Sequence, residues 1–136
     1  MPDSRIVTDA LTLTPIAPSR FDVAFEAHTG LVPWPKAYGG DMVAQAAVAA
    51  MRSVSTGKAL HSMHSYFLRP VDIGGRVKYE VEILRDGRSY SARQVRAYQH
   101  DRLAYVALAS FAAGESGAEV SVAPPGWLDQ IPDPEA

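Results

Sequence analysis

Ala37-Tyr38-Gly39-Gly40-Asp41-Met42-Val43-Ala44-Gln45-Ala46-Ala47-Val48-Ala49-Ala50-Met51 reads as a glycine pair opening a helix clothed almost entirely in small and apolar side chains. A helix that is apolar on nearly every side is stable only when other elements surround it. Its first turn leaves backbone N–H groups without intrahelical partners, and glycines let a carbonyl or phosphate oxygen approach them closely. The stretch therefore predicts a buried central helix whose N-terminus can hold an oxyanion, with the acidic Asp41 beside it. The helix is expected to end near Thr56-Gly57, with the glycine as its C-terminal cap.

The surrounding material reads as strands. Leu11 to Thr14 and Phe21 to Glu26 are short alternating runs separated by Pro15 and Pro18, and His28 to Tyr38 is a proline-bearing loop holding Thr29-Gly30, Trp34 and Lys36. Beyond the helix, His61 to Arg69 stops at Pro70. Arg76 to Leu84 sets Val77, Tyr79, Val81 and Ile83 against Lys78, Glu80 and Glu82. Asp86-Gly87 is a hairpin turn, Arg88 to Gln99 returns, His100-Asp101 turns again, and Leu103 to Ala112 closes the series. One long apolar helix with four consecutive antiparallel strands, preceded by one or two more, predicts an α+β architecture in which a sheet curls around a single helix. This is the hotdog fold.

The chain has 136 residues, 47% of them hydrophobic and 21% charged, which is enough for the core of one domain. Residues 1–122 are read as that domain and 123–136, rich in proline, as a tail or linker. A net charge of -2 argues against nucleic acid or an anionic membrane as partner. No apolar run reaches the length of a membrane span and Met1 to Arg5 begins no signal pattern. The absence of cysteine excludes disulfides and thiolate metal sites and leans towards the cytoplasm. The four histidines are too scattered for a metal motif, and no cofactor is expected.

Three blocks, in this order, resemble the acyl-CoA thioesterase II family: Tyr38-Gly39-Gly40 with Val43-Ala44-Gln45-Ala46, His61-Ser62-Met63-His64-Ser65-Tyr66-Phe67-Leu68-Arg69-Pro70, and Leu84-Arg85-Asp86-Gly87-Arg88-Ser89-Tyr90-Ser91-Ala92-Arg93. The resemblance runs over about residues 20 to 115 and is to the N-terminal of two hotdog halves. It implies acyl-CoA as substrate, hydrolysed to free acid and CoA. In the two-hotdog enzymes the catalytic Asp, Ser or Thr, and Gln sit in the C-terminal half. The corresponding places here fall near Ser62, Gly87 and Ala112, and none of those residue types is kept. Where the family's N-terminal half usually has Gln after the glycine pair, this chain has Asp41.

Thioester hydrolysis needs donors aimed at the developing oxyanion and a carboxylate that attacks the carbonyl or activates water. Asp41 and Gln45, one helical turn apart on one face, are the candidate catalytic residues. The alternatives are an ordinary N-cap or first-turn acid for Asp41 and a hydrogen bond to a facing strand for Gln45. Gly39 and Gly40 with Tyr38 are candidates for the oxyanion and substrate site. Ser62 and His64 share one strand face and are further substrate-binding candidates, with structural hydrogen bonding as the stronger reading. Arg69, Arg88 and Arg93 are candidates for the phosphates of CoA, against ion pairs with Glu80 and Glu82. Trp34 and Lys36 are candidates for the border of an acyl or pantetheine channel, with Trp34 as a plug of the core the stronger reading. The cleft is completed by a homodimer or a dimer of dimers, in which the exposed edge near Leu103 to Ala112 is covered. The competing function is a non-catalytic module that binds acyl thioester or a second hotdog, and a hydratase is a lesser option because no Asp/His pair has a recognisable spacing.

Overall fold

The computed structural model of the chain describes residues 8–55 and 57–126. Six strands form one antiparallel sheet: β1 (Thr14–Ile16), β2 (Val23–His28), β3 (Lys58–Phe67), β4 (Arg76–Asp86), β5 (Tyr90–Gln99) and β6 (Arg102–Ala113). Their spatial order is β1-β2-β4-β5-β6-β3. The helix α1 (Gly39–Arg52) lies in the hollow of this sheet, against β2, β3, β4, β5 and β6. Val77, Tyr79 and Val81 of β4, Val95 and Ala97 of β5 and Tyr105, Ala107, Ala109 and Phe111 of β6 face Met42, Ala46, Ala49 and Ala50 in one core. The predicted hotdog architecture is what this describes.

Five expectations are corrected. Of the four strands after the helix, β4, β5 and β6 are neighbours in sequence order, but β3 crosses the domain to pair with β6 instead of β4. The edge on that side is therefore β3, with β1 at the other, and β6 lies inside the sheet between β5 and β3. The helix ends at Arg52 with Ser53 as its cap; Gly57, at φ 97, serves the turn into β3 instead, while Thr56 lies outside the described residues. Trp34 is half exposed and plugs nothing. Finally, α1 is not enclosed: Val43, Ala44, Ala47 and Val48 are only partly covered and Met51 is open, so one flank of an apolar helix waits for cover.

The His100-Asp101 turn is as read, whereas Asp86 still pairs with Ser91, so the β4–β5 turn is Gly87 to Ser89 and Arg88 lies in it rather than in β5. His100 and Asp101 both take positive φ, 50 and 58, the signature of a two-residue turn that follows the sheet's twist. In β3 the pairing to β6 skips one residue, His61, between Leu60 opposite Phe111 and Ser62 opposite Ser110. This bulge puts Leu60 and Met63 on the core side and leaves Ser62, His64 and Tyr66 on the outer face. Residues 114–125 form no regular element, and the rest of the expected tail beyond Gly126 lies outside the described residues.

Candidate active site

Helix α1 starts abruptly. Tyr38 precedes it in extended backbone and gives no side-chain cap, so Asp41, the third helical residue, is not the N-cap. Its own N–H donates to the Tyr38 carbonyl at 3.1 Å. Its carboxylate turns away from the helix, where Oδ2 accepts the Gly30 N–H at 2.8 Å. A β-carbon on Gly30 would stand 3.0 Å from that oxygen, so the close approach calls for glycine. This bond fixes the Asp41 rotamer. The half-buried carboxylate then borders a cleft of about 180 Å³ whose other walls are Ala10, Leu11, Leu31, Val32, Tyr38 and Ala44. A carboxylate bordering an apolar cleft, oriented by a backbone donor, is poised to act on a substrate whose tail is apolar.

The Asp41 N–H is taken by the first turn, where it donates to Tyr38, so it is no donor for an oxyanion. Among the described residues the free donors are the N–H groups of Gly39 and Gly40. The Tyr38 ring lies against Gly40, and the Phe67 ring packs on Gly39. Gly39 and Met42 open into a second cleft, of about 210 Å³, along Phe67, Leu68, Arg69 and Pro70. Tyr38, Asp41 and Ala44 lie roughly 100° further round the helix. Two clefts thus meet at one helix N-terminus, with the glycine pair between them.

Gln45 is wholly buried, but it neither holds Asp41 nor has an N–H left to position water. Its Nε2 donates to the Ala10 carbonyl at 2.7 Å and the His28 carbonyl at 2.8 Å, and its Oε1 accepts the Tyr79 hydroxyl at 2.7 Å. Burial pushes the Tyr79 phenol well above its ordinary pKa, so it stays a donor. The amide therefore ties together the two segments that wall the Asp41 cleft. Replacing Gln45 by alanine orphans the Tyr79 hydroxyl and two carbonyls, at ~1–3 kcal/mol for a group left buried and unpaired. Partial rescue by water brings the expected loss to roughly 2–3 kcal/mol of unfolding free energy, measured by urea titration.

The remaining candidates separate. Ser62 and His64 sit exposed on the outer face of β3, across the sheet from α1, where His64 packs its ring on Tyr66 at 4.8 Å. They do not meet Asp41 within the chain. Arg69 lies beside the second cleft, its Nη1 donating to the Leu103 carbonyl at 2.6 Å. Arg88 is exposed in the β4–β5 turn, at the opposite end of the domain from the helix N-terminus. Arg93 is 1% exposed and is no CoA ligand: all five of its N–H donors are used within the fold. The sequence reading missed Gly30, Tyr79 and Thr29. The Thr29 hydroxyl, between the His28 carbonyl and the Gly30 N–H, is buried without a partner among the described residues.

A helix laid in the hollow of an antiparallel sheet, with clefts on both sides of its N-terminus, defines a hotdog domain. The chain belongs to the acyl-CoA thioesterase N-terminal domain family, which it matches over residues 31–112. It is 40% identical over 108 residues to human acyl-coenzyme A thioesterase 8, and 40% identical over 98 residues to acyl-CoA thioesterase 2 of Haemophilus influenzae. These alignments take in 79% and 72% of this chain but 33% and 34% of the relatives, so the chain spans about a third of their length. Among solved structures it is similar to the acyl-CoA thioesterase II TesB2 of Mycobacterium marinum, at TM-score 0.74 and 29% identity over 88% of this chain and 43% of that one. The likeness to PH1136 of Pyrococcus horikoshii, at TM-score 0.67 and 20% identity over 78% of this chain and 85% of that one, is one of fold.

Proposed function

We propose that the chain is the hotdog unit of an acyl-CoA thioesterase, hydrolysing the thioester to free acid and CoA. The observation that carries this reading is the Asp41 carboxylate, oriented by the Gly30 N–H at the start of α1 and bordering an apolar cleft. The acyl chain lies in that cleft and the thioester oxygen faces the Gly39 and Gly40 N–H groups. Asp41 takes a proton from water as the water oxygen attacks the carbonyl carbon; the C–S bond then breaks and the thiolate leaves, regaining a proton. Charge developing on the carbonyl oxygen is stabilised by the helix N-terminus. The test is a thiol-release assay on short, medium and long acyl-CoAs, in which turnover on at least one class is expected.

A second reading is favoured by one observation: the chain spans a third of its curated relatives and matches an N-terminal domain. On that reading it is a non-catalytic module that binds acyl thioester or pairs with another hotdog. Absence of thiol release on every chain length, with acyl-CoA still bound, would establish it.

Both readings include a partner for β3, an uncovered strand of ten residues with unpaired backbone groups along one side. A second copy, joined edge to edge, continues the sheet and covers the open flank of α1. Light scattering coupled to size exclusion is expected to give a dimer or a dimer of dimers at micromolar concentration, and a stable monomer would refute the pairing. No helix among the described residues is long and apolar enough to cross a membrane. A cytoplasmic location belongs to the reading and rests on the cysteine-free sequence; a yeast relative, 32% identical over 128 residues, is named for the peroxisome.

A further inference from the structure

Three segments far apart in sequence meet beside the N-terminus of α1: the loop before the helix, the β3–β4 connection and the β5–β6 turn. They enclose a cleft of about 260 Å³ bordered by Lys36, Arg69, Asp72, Gln99, His100 and Arg102. Three permanent cations face one carboxylate there, in a chain whose overall charge is -2. The carboxylate is engaged, because Asp72 pairs with Lys36, which holds its carboxyl below the ordinary value. Asp101, in the adjoining turn, faces Arg20 at 3.8 Å. Arg102 is exposed and has no carboxylate partner among the described residues.

The walls are built rather than loose. The Gln99 amide accepts the Asp72 N–H at 2.8 Å and donates to the Asp72 carbonyl at 3.0 Å, locking the β3–β4 connection to the end of β5. Lys36 and Asp72 also form a β-bridge. The N–H groups of Leu68 and Arg69 both donate to the Ala104 carbonyl, at 2.8 and 3.0 Å. Arg69 and Pro70 border this cleft and also the one that ends at Gly39. A continuous path therefore runs from the free N–H groups of the helix to a cationic cleft.

We propose that this cleft is an anion subsite for the phosphate groups of a CoA thioester, with Arg69 and Arg102 donating to phosphate oxygens and Lys36 supplying further positive charge. The pantetheine arm then follows Phe67 to Pro70 and delivers the thioester to Gly39 and Gly40. Guanidinium forks suit phosphate because two parallel N–H groups meet two oxygens. The proposal rests on the acyl-CoA reading and replaces Arg88 and Arg93 by residues at the other end of the sheet.

The test is calorimetric titration of the chain with CoA, with pantetheine, which lacks the phosphates, and with inorganic phosphate. Wild type is expected to bind CoA about tenfold or more tightly than pantetheine, with the difference shrinking as salt is raised. Arg102→Glu is expected to abolish the difference, and Arg102→Gln, which removes charge without reversing it, to reduce it; thermal melts establish that both variants are folded. CoA affinity unchanged in folded Arg102→Glu, or equal affinities of wild type for CoA and pantetheine, would overturn the subsite while leaving the thioesterase reading intact. Wild type that binds neither CoA nor pantetheine would overturn both. Inorganic phosphate held as tightly as CoA would make this a free-anion site and overturn the coenzyme assignment.

Discussion

Replacing Asp41 by asparagine is expected to lower the turnover of acyl-CoA by about two orders of magnitude or more, the scale of a general base or nucleophile. The substitution is informative because of where the carboxylate sits. Asp41 does not cap its own helix; it accepts the Gly30 N–H, and the asparagine amide oxygen can accept the same bond. The loop from His28 to Leu31 stays tethered, the cleft keeps its shape, and only the charge and basicity are lost. Acyl-CoA affinity should therefore change little while kcat falls. A variant with unchanged turnover would remove Asp41 from the chemistry. A variant that loses affinity and stability together would assign the residue to the tether alone.

Replacing Arg93 by alanine is expected to cost about 3–5 kcal/mol of stability, because the carbonyls of Ser53, Arg85 and Ala92 lose their charged donor at about 1–3 kcal/mol each. Its Nε donates to the Ser53 hydroxyl, Nη1 to the carbonyls of Arg85 and Ala92, and Nη2 to the Ser53 carbonyl and the Asp86 carboxylate, all between 2.7 and 3.0 Å. Ser53 caps α1, so the guanidinium stands at the negative end of the helix dipole and ties it to the β4–β5 hairpin. Lysine, with three donors and no fork, is expected to recover only part of the loss. Urea unfolding measures both variants. A role in holding CoA would instead leave stability intact and raise KM, and that result would refute the structural assignment.

The burial of Arg93 is legible in the sequence. It alternates in phase with Val95 and Ala97, which fill the core, so period-two reasoning places it inside. The helix, the hairpin at Asp86-Gly87 and the turn at His100-Asp101 were readable because each is decided locally, by apolar periodicity and by turn residues. The crossing of β3 to β6 was not, because no local pattern states which strands become neighbours. The site divides in the same way. Gly39, Gly40 and Asp41 are adjacent in sequence and were found together. Gly30 reaches Asp41 across eleven positions, and the cleft of Lys36, Arg69 and Arg102 is assembled from three segments. Gln45 was read as a polar intruder in an apolar helix, and the need for partners was correctly anticipated; their identity depends on the packing of β2, β4 and the segment at Ala10.

The extra residue in β3 governs how this strand can change length. His61 is skipped by the ladder, so Leu60 and Ser62 face consecutive residues of β6. Deleting it would give an ordinary ladder in which Leu60 and Met63 still point inward and Ser62, His64 and Tyr66 still point outward. Removing any single residue from Ser62 to Phe67 would instead reverse the faces of part of the strand unless the bulge moved to compensate. A one-residue gap between homologues is therefore neutral for packing at His61 and disruptive a few positions later, which makes this site the natural place to put such a gap when sequences are aligned.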